Sequence, residues 1–157
     1  MDDMCHDLAM RPTTPHRIGV VALPGVYAYE LGIASRFFGA AEVDGRAAYD
    51  VVTCSLDGRP VPTSADFSVA VGADRSVLDE VDTIVVPPWD TALDGVDPIG
   101  LAERTSQRVV SYCTGAFTVA ASGRLDGRAA TTHWRKAEQF RMAFPQVDFR
   151  PDRSEEH

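Results

Sequence analysis

Nowhere in this sequence does an apolar run approach the ~20 residues that a membrane-spanning helix needs, and the opening MDDMCHDLAMRPTTPHR lacks the apolar core of a secretory signal peptide. The expected location is the cytoplasm, with no membrane partner. Concentrated positive charge is lacking as well. The 15 Lys and Arg residues are outnumbered by 23 Asp and Glu, for a formal net charge of -8, and they form no stripe. A phosphate-backbone footprint is therefore absent, and nucleic acid is not an expected partner of this segment. Cysteine is scarce: Cys5, Cys54 and Cys113 are an odd number at unrelated spacings, which argues against a disulfide framework and against a zinc cluster. Free thiols are expected, with no metal and no other cofactor. Internal repeats and low-complexity tracts are missing too.

What is present fits one soluble α/β domain. The chain has 157 residues, 45% hydrophobic and 24% charged, enough to bury about two-thirds of its unfolded surface. Residues 1–16 carry Pro12 and Pro15 and little apolar periodicity, so they read as a flexible leader; residues 153–157 read as a tail. RIGVVAL (17–23) is a β-branched run suited to a parallel strand buried on both faces, ended by the turn Pro24-Gly25. From 28 to 41 the spacing of Leu31, Ala34, Phe37 and Phe38 predicts a helix with those four on its inner face. Further strands are expected at 49–55, 66–71, 83–86, 108–112 and in QVDFR. A short helix should precede residue 83, another should cover 99–105, and a third 116–122, stopped by Gly123. An amphipathic helix should run through HWRKAEQFRMAFP. Alternating strands and helices imply a doubly wound, mostly parallel layered sheet of flavodoxin-like or Rossmann-like type, with helices on both faces and ligands at the carboxyl ends of the strands.

The chemistry gathers in RVVSYCTGAFTVAASGRLDG (108–127). A buried strand there ends on Cys113 and turns directly into a small-residue helix, the geometry of a nucleophile elbow with cysteine in place of serine. Backbone N–H groups at the helix start, from Thr114 and Gly115 onward, favour the thiolate, and Gly115 keeps the turn uncrowded. His133, in TTHW after the following turn, is placed to return to the top of the same sheet. Glu30, early in the first crossover helix, lies just past the end of the first strand. Taken singly, each has an ordinary alternative: a core cysteine, a surface histidine near a helix start, a solvated helix-start acid.

The strings LPGVYAYELGIASRFFG, VDTIVVPPW, VVSYCTGAFTVAASGRLDGRAATTHW and FPQVDFRPD, spread over residues 17–152, resemble the DJ-1/PfpI superfamily, the class I glutamine amidotransferase-like proteins. The stretch around Cys113 is similar to the N-terminal domain of AraC-type transcriptional regulators, with a sister pattern in isonitrile hydratases. The resemblance implies that Cys113 is the elbow cysteine, Glu30 the first-helix carboxylate and His133 the histidine after the elbow helix. It also implies a homodimer, and a chain that stops before the last strand and helix closing the resembling domain.

Two departures bear on function. The loop after the third buried strand reads Pro87-Pro88-Trp89 where the family usually has Pro-Gly; Pro88 has no N–H, so an oxyanion donor there must be the Trp89 N–H, and the indole is placed to wall the pocket. The first helix reads YELG, nearer the regulator pattern than the Gly-Pro start of the enzyme-like branches. The expected function is a small-molecule-sensing and dimerisation domain of an AraC-family-like regulator, with a pocket over Cys113, Thr114, Gly115, Trp89 and Pro88. It would reach DNA only if a helix-turn-helix domain follows. The alternative is a cysteine-dependent isonitrile hydratase-like or amidase-like enzyme using Cys113, Glu30 and His133. Oxidation sensing at Cys113 is a third reading.

Overall fold

A computed structural model describes residues 14–90 and 92–151. Most of the expected leader and all of the expected tail lie outside the described residues. Strand β1 (His16–Val21) starts at His16, inside the expected leader, and its last four residues are buried. Helix α1 (Ala28–Gly39) follows, then a small hairpin of β2 (Glu42–Val43) and β3 (Arg46–Ala47), and β4 (Tyr49–Cys54). A second hairpin, β5 (Val61–Pro62) with β6 (Ser68–Val69), precedes a 3-10 turn at Arg75–Asp79 and β7 (Thr83–Val86). After β8 (Arg108–Ser111) come α2 (Gly115–Ala121), β9 (Ala129–Ala130), α3 (Ala137–Ala143) and β10 (Asp148–Phe149).

The central sheet has the order β4-β1-β7-β8, with every neighbouring pair parallel. The chain first moves outward from β1 to β4, then returns to β7 and continues to β8. The direction therefore reverses between β1 and β7, and the crevice beyond their carboxyl ends is where an open α/β sheet binds ligands. The expected layered α/β arrangement is present. Its core is the four-residue run of β7, fully buried, with Ile18, Val20, Leu23, Phe117 and Phe140 among the largest side chains sealed from solvent. Phe117, Phe140 and Phe144 meet at ring-centroid distances of 5.0 to 5.9 Å, which locks α2 to α3.

Four local expectations are corrected. Phe37 lies on the outer side of α1, while Leu31 and Ala34 are buried and Phe38 packs on the Tyr49 ring. The stretch 99–105 forms successive turns rather than a helix: Asp97 caps it by accepting from the N–H groups of Gly100 and Ala102, and Gly100 at φ 75 breaks helical continuity. The strand expected at 66–71 shrinks to Ser68–Val69, and the helix after TTH splits into a 3-10 turn at Trp134–Lys136 followed by α3. Gly123, expected to stop the helix, adopts φ of 77 just past it, and Gly127 adopts φ of 69 outside regular helix.

Candidate functional site at the strand-to-helix turn

Cys113 occupies the turn between β8 and α2 with φ at 54, a left-handed conformation that a side-chain-bearing residue adopts at a cost of order 1–2 kcal/mol. The turn is enforced from both sides. Gly115 donates its N–H to the Tyr112 carbonyl at 3.1 Å. A Cβ on Gly115 would lie 2.3 Å from the Val86 carbonyl oxygen and 3.2 Å from that of Pro87, so α2 begins in direct backbone contact with the end of β7. Only glycine permits that approach, and the approach is what sets Cys113 above the edge of the sheet. Its side chain is partly exposed and free of disulfide. Cys54, the other described cysteine, is buried at the end of β4, and burial pushes its thiol up to about 11.

Three loops at the carboxyl ends of the strands are laced together beside this turn. Gly25 and Tyr27, after β1, exchange backbone bonds with the loop after β7: Asp90 N–H donates to the Gly25 carbonyl at 3.0 Å, and Tyr27 N–H donates to the Pro88 carbonyl at 3.2 Å. Ser64 N–H, beyond β5, donates to the Val26 carbonyl at 3.0 Å. Tyr27 is thereby fixed at the start of α1. Its hydroxyl is within hydrogen-bond reach of the Asp90 carboxylate, and the phenol is pushed up by burial first, then by the charges of Asp90, Cys113 and Glu30. Tyr112, the residue before the cysteine, donates its hydroxyl to the Glu30 backbone carbonyl at 2.5 Å. Burial, with the Glu30 charge adding to it, pushes that phenol up to about 12, so at neutral pH it remains a donor.

Of the residues singled out in the sequence, Cys113 and Thr114 form the turn itself, the Glu30 backbone carbonyl is held by the Tyr112 hydroxyl beside it, and the Pro88 carbonyl is held by the Tyr27 N–H. His133 stands differently. Its Nδ1 accepts from the Arg135 N–H at 3.2 Å and its ring stacks on Trp134, so the imidazole caps its own 3-10 turn. The neighbouring Thr132 hydroxyl donates to the Cys113 carbonyl at 3.0 Å, which ties this segment to the elbow through the backbone. Trp89 also differs from the wall expected of it: the side chain is 6% exposed and its Nε1 donates to Thr118 Oγ1 of α2 at 2.9 Å. The indole is packed into the core beneath α2, and what it offers a ligand is confined to backbone.

Tyr27 and Asp90 were not singled out by sequence reasoning. The signal lay in topology, because both fall in loops at the carboxyl ends of the two strands that flank the reversal point. Among the described residues no group of three or more His, Cys, Asp or Glu side chains is arranged to hold a metal ion, and no helix is long and apolar enough to cross a membrane.

No protein-family model matches the chain. A protein of Streptomyces lividans, described as an uncharacterized protein in the cpoL 5' region, is 39% identical over 130 residues, covering 77% of this chain and 89% of that protein. The HTH-type transcriptional regulator GbdR of Pseudomonas aeruginosa is 29% identical over 113 residues, covering 69% of this chain. This chain spans 31% of that regulator's length. Among solved structures, an AraC family transcriptional regulator from Pseudomonas putida superposes with a TM-score of 0.70 at 19% identity, over 87% of this chain and 77% of that one. A THiJ/PfpI family protein from Pseudomonas syringae reaches 0.71 at 20% identity, over 94% of this chain and 62% of that one.

Proposed function

We propose that this chain is a member of the DJ-1/PfpI superfamily, alongside the DJ-1/PfpI-like domains of AraC-type transcriptional regulators, and that residues 17–152 form a small-molecule-sensing and dimerising domain of an AraC-family-like regulator. It acts in the cytoplasm, and these residues make no contact with DNA themselves. The ligand sits in the crevice over Cys113 and Thr114, with Glu30, Tyr27 and Asp90 at its rim.

One observation carries this reading. The partly exposed thiol stands among hydrogen-bonding groups, while the imidazole of His133 is engaged by the N–H of Arg135 in its own turn. A ring of donors and acceptors without a base engaged at the nucleophile supports recognition over turnover. Occupancy reaches the rest of the molecule through Tyr112, whose hydroxyl joins the elbow strand to α1.

A thermal-shift screen of small polar metabolites tests the proposal. A true ligand raises Tm, is recovered chemically unchanged, and loses at least about tenfold in affinity when Cys113→Ala or Glu30→Gln is introduced. Consumption of the ligand by wild type, abolished in Cys113→Ala, would instead establish the second reading, a cysteine-dependent hydratase or hydrolase. The positive φ at Cys113 favours that alternative, since strain of this kind gathers at reactive residues. In that case Cys113 Sγ attacks the electrophilic carbon, Glu30 transfers the proton, and the Thr114 and Trp89 N–H groups face the developing oxyanion.

A further inference from the structure

Folding gathers positive charge that the sequence keeps apart. In a chain of net charge -8, Arg108, Arg124 and Arg128 line one hollow of about 800 Å³ along the outer edge of β8, with Asp126 the single carboxylate in its lining. Among the described residues none of the three guanidiniums enters an ion pair. Val110, Val119 and Leu125 make part of the same wall apolar.

The backbone of this edge is closed at both ends and open in the middle. Arg108 donates its N–H to the Asp82 carbonyl on the β7 side, so the strand's alternation turns the N–H and C=O groups of Gln107, Val109 and Ser111 outward. At the amino end, Arg124 Nη2 donates to the Gln107 carbonyl at 2.7 Å; at the carboxyl end, the Thr132 hydroxyl donates to the Cys113 carbonyl at 3.0 Å. Between these caps β8 has no strand partner on its outer side among the described residues, and Val110 is 39% exposed. An edge left in that state is a template for another backbone.

We propose that the β8 edge is a docking slot for an extended segment of a separate polypeptide, one that alternates acidic and apolar side chains. It adds beside β8 and lengthens the order β4-β1-β7-β8 by one strand. Its backbone pairs with Val109 and Ser111, its apolar side chains cover Val110, Val119 and Leu125, and its carboxylates meet Arg108, Arg124 and Arg128. Each part of the slot selects one property of the partner. An extended backbone is what matches donors and acceptors at strand spacing, and guanidinium forks favour carboxylate over ammonium. The slot adjoins the amino half of β8, whereas Cys113 lies past its carboxyl end, so the proposal does not rest on the sensing reading.

Fluorescence anisotropy with the full chain is the test, using a labelled peptide of about eight residues that alternates valine and glutamate. Saturable binding is expected, at least about tenfold tighter than for the valine–lysine counterpart and weaker in high salt. Arg128→Glu, at an exposed position, should raise the dissociation constant at least about tenfold with an unchanged circular dichroism spectrum. Two further peptides, N-methylated either at every valine or at every glutamate, read the backbone: one should fail to bind and the other should be tolerated, because a strand pairs through one edge at a time. Equal affinity for the glutamate and lysine peptides, tolerance of both methylated forms, or a folded Arg128→Glu that binds as wild type does would overturn the proposal. Refusal of the glutamate peptide by the full chain, as follows if residues 153–157 or a second copy already fill the edge, would overturn it as well.

Discussion

The two ends of the same four strands are built on opposite rules. At the amino ends, charge is neutralised on the spot: Arg17 contacts Asp50 and Glu80, each at 3.1 Å, its backbone N–H donates to Asp82, and His16 meets the Thr83 hydroxyl at 2.8 Å. A hollow of about 490 Å³ opens there, lined by His16, Asp79, Glu80, Asp82 and Arg108 among others, yet the groups around it are largely engaged with one another. At the carboxyl ends a cysteine is held at positive φ, a helix starts in backbone contact with β7, and the Tyr27 and Tyr112 phenols feel the charges of nearby carboxylates, Asp90 and Glu30 for Tyr27 and Glu30 for Tyr112. A concavity by itself therefore does not identify the site. The proposed site rests instead on the positive φ of Cys113 together with the polar groups of the loops beside it.

That contrast is broken most severely at Gly115. Gly115→Ala drives a methyl group into the Val86 carbonyl, and we expect a loss of at least about 3 kcal/mol in urea denaturation, together with loss of the elbow geometry. Next comes the buried bond beneath α2. Thr118→Val leaves the Trp89 indole N–H unsatisfied and should cost about 1–3 kcal/mol, with a shift in tryptophan fluorescence. Alkaline pH gives an effect of similar size. Cys54 and Tyr112 keep their protons to higher pH in the folded protein than in the unfolded chain, so the unfolded state binds fewer protons as pH rises. Stability should be full below pH 9 and fall as pH climbs toward 11; the Cys54 share, about 2–3 kcal/mol, should vanish in Cys54→Ala, read as a flattened slope of stability against pH. Smaller still is the strain at the elbow: Cys113→Gly should be more stable than Cys113→Ala by about 1 kcal/mol, because glycine accepts φ of 54 without penalty. At the amino end, Asp50→Asn should leave Tm within about 2 °C of wild type, as an exposed ion pair contributes little.

Much of this was legible in the sequence because the signals were local. Continuous β-branched runs marked β1, β4, β7 and β8, and the strand-Cys-Thr-Gly-helix order marked the elbow before its φ was known. The errors came where a tertiary partner decided. Phe37 shares the helical period of the buried face but sits on its far side, and the stretch 99–105 was diverted into turns by the side chain of Asp97. Trp89 read as a pocket wall because its neighbours in sequence face the elbow; the Thr118 hydroxyl, 29 residues away, draws it inward. Tyr27 and Asp90 became visible only when the loops after β1 and β7 were seen joined through paired backbone bonds.

The most direct test of the account is isothermal titration of a ligand selected by thermal shift, into wild type, Glu30→Gln and Tyr27→Phe, with the ligand assayed for conversion afterwards. The account predicts one saturable site per chain, affinity lost in both variants, and a ligand returned intact. Binding indifferent to both substitutions, or a ligand converted by the wild type, would contradict it.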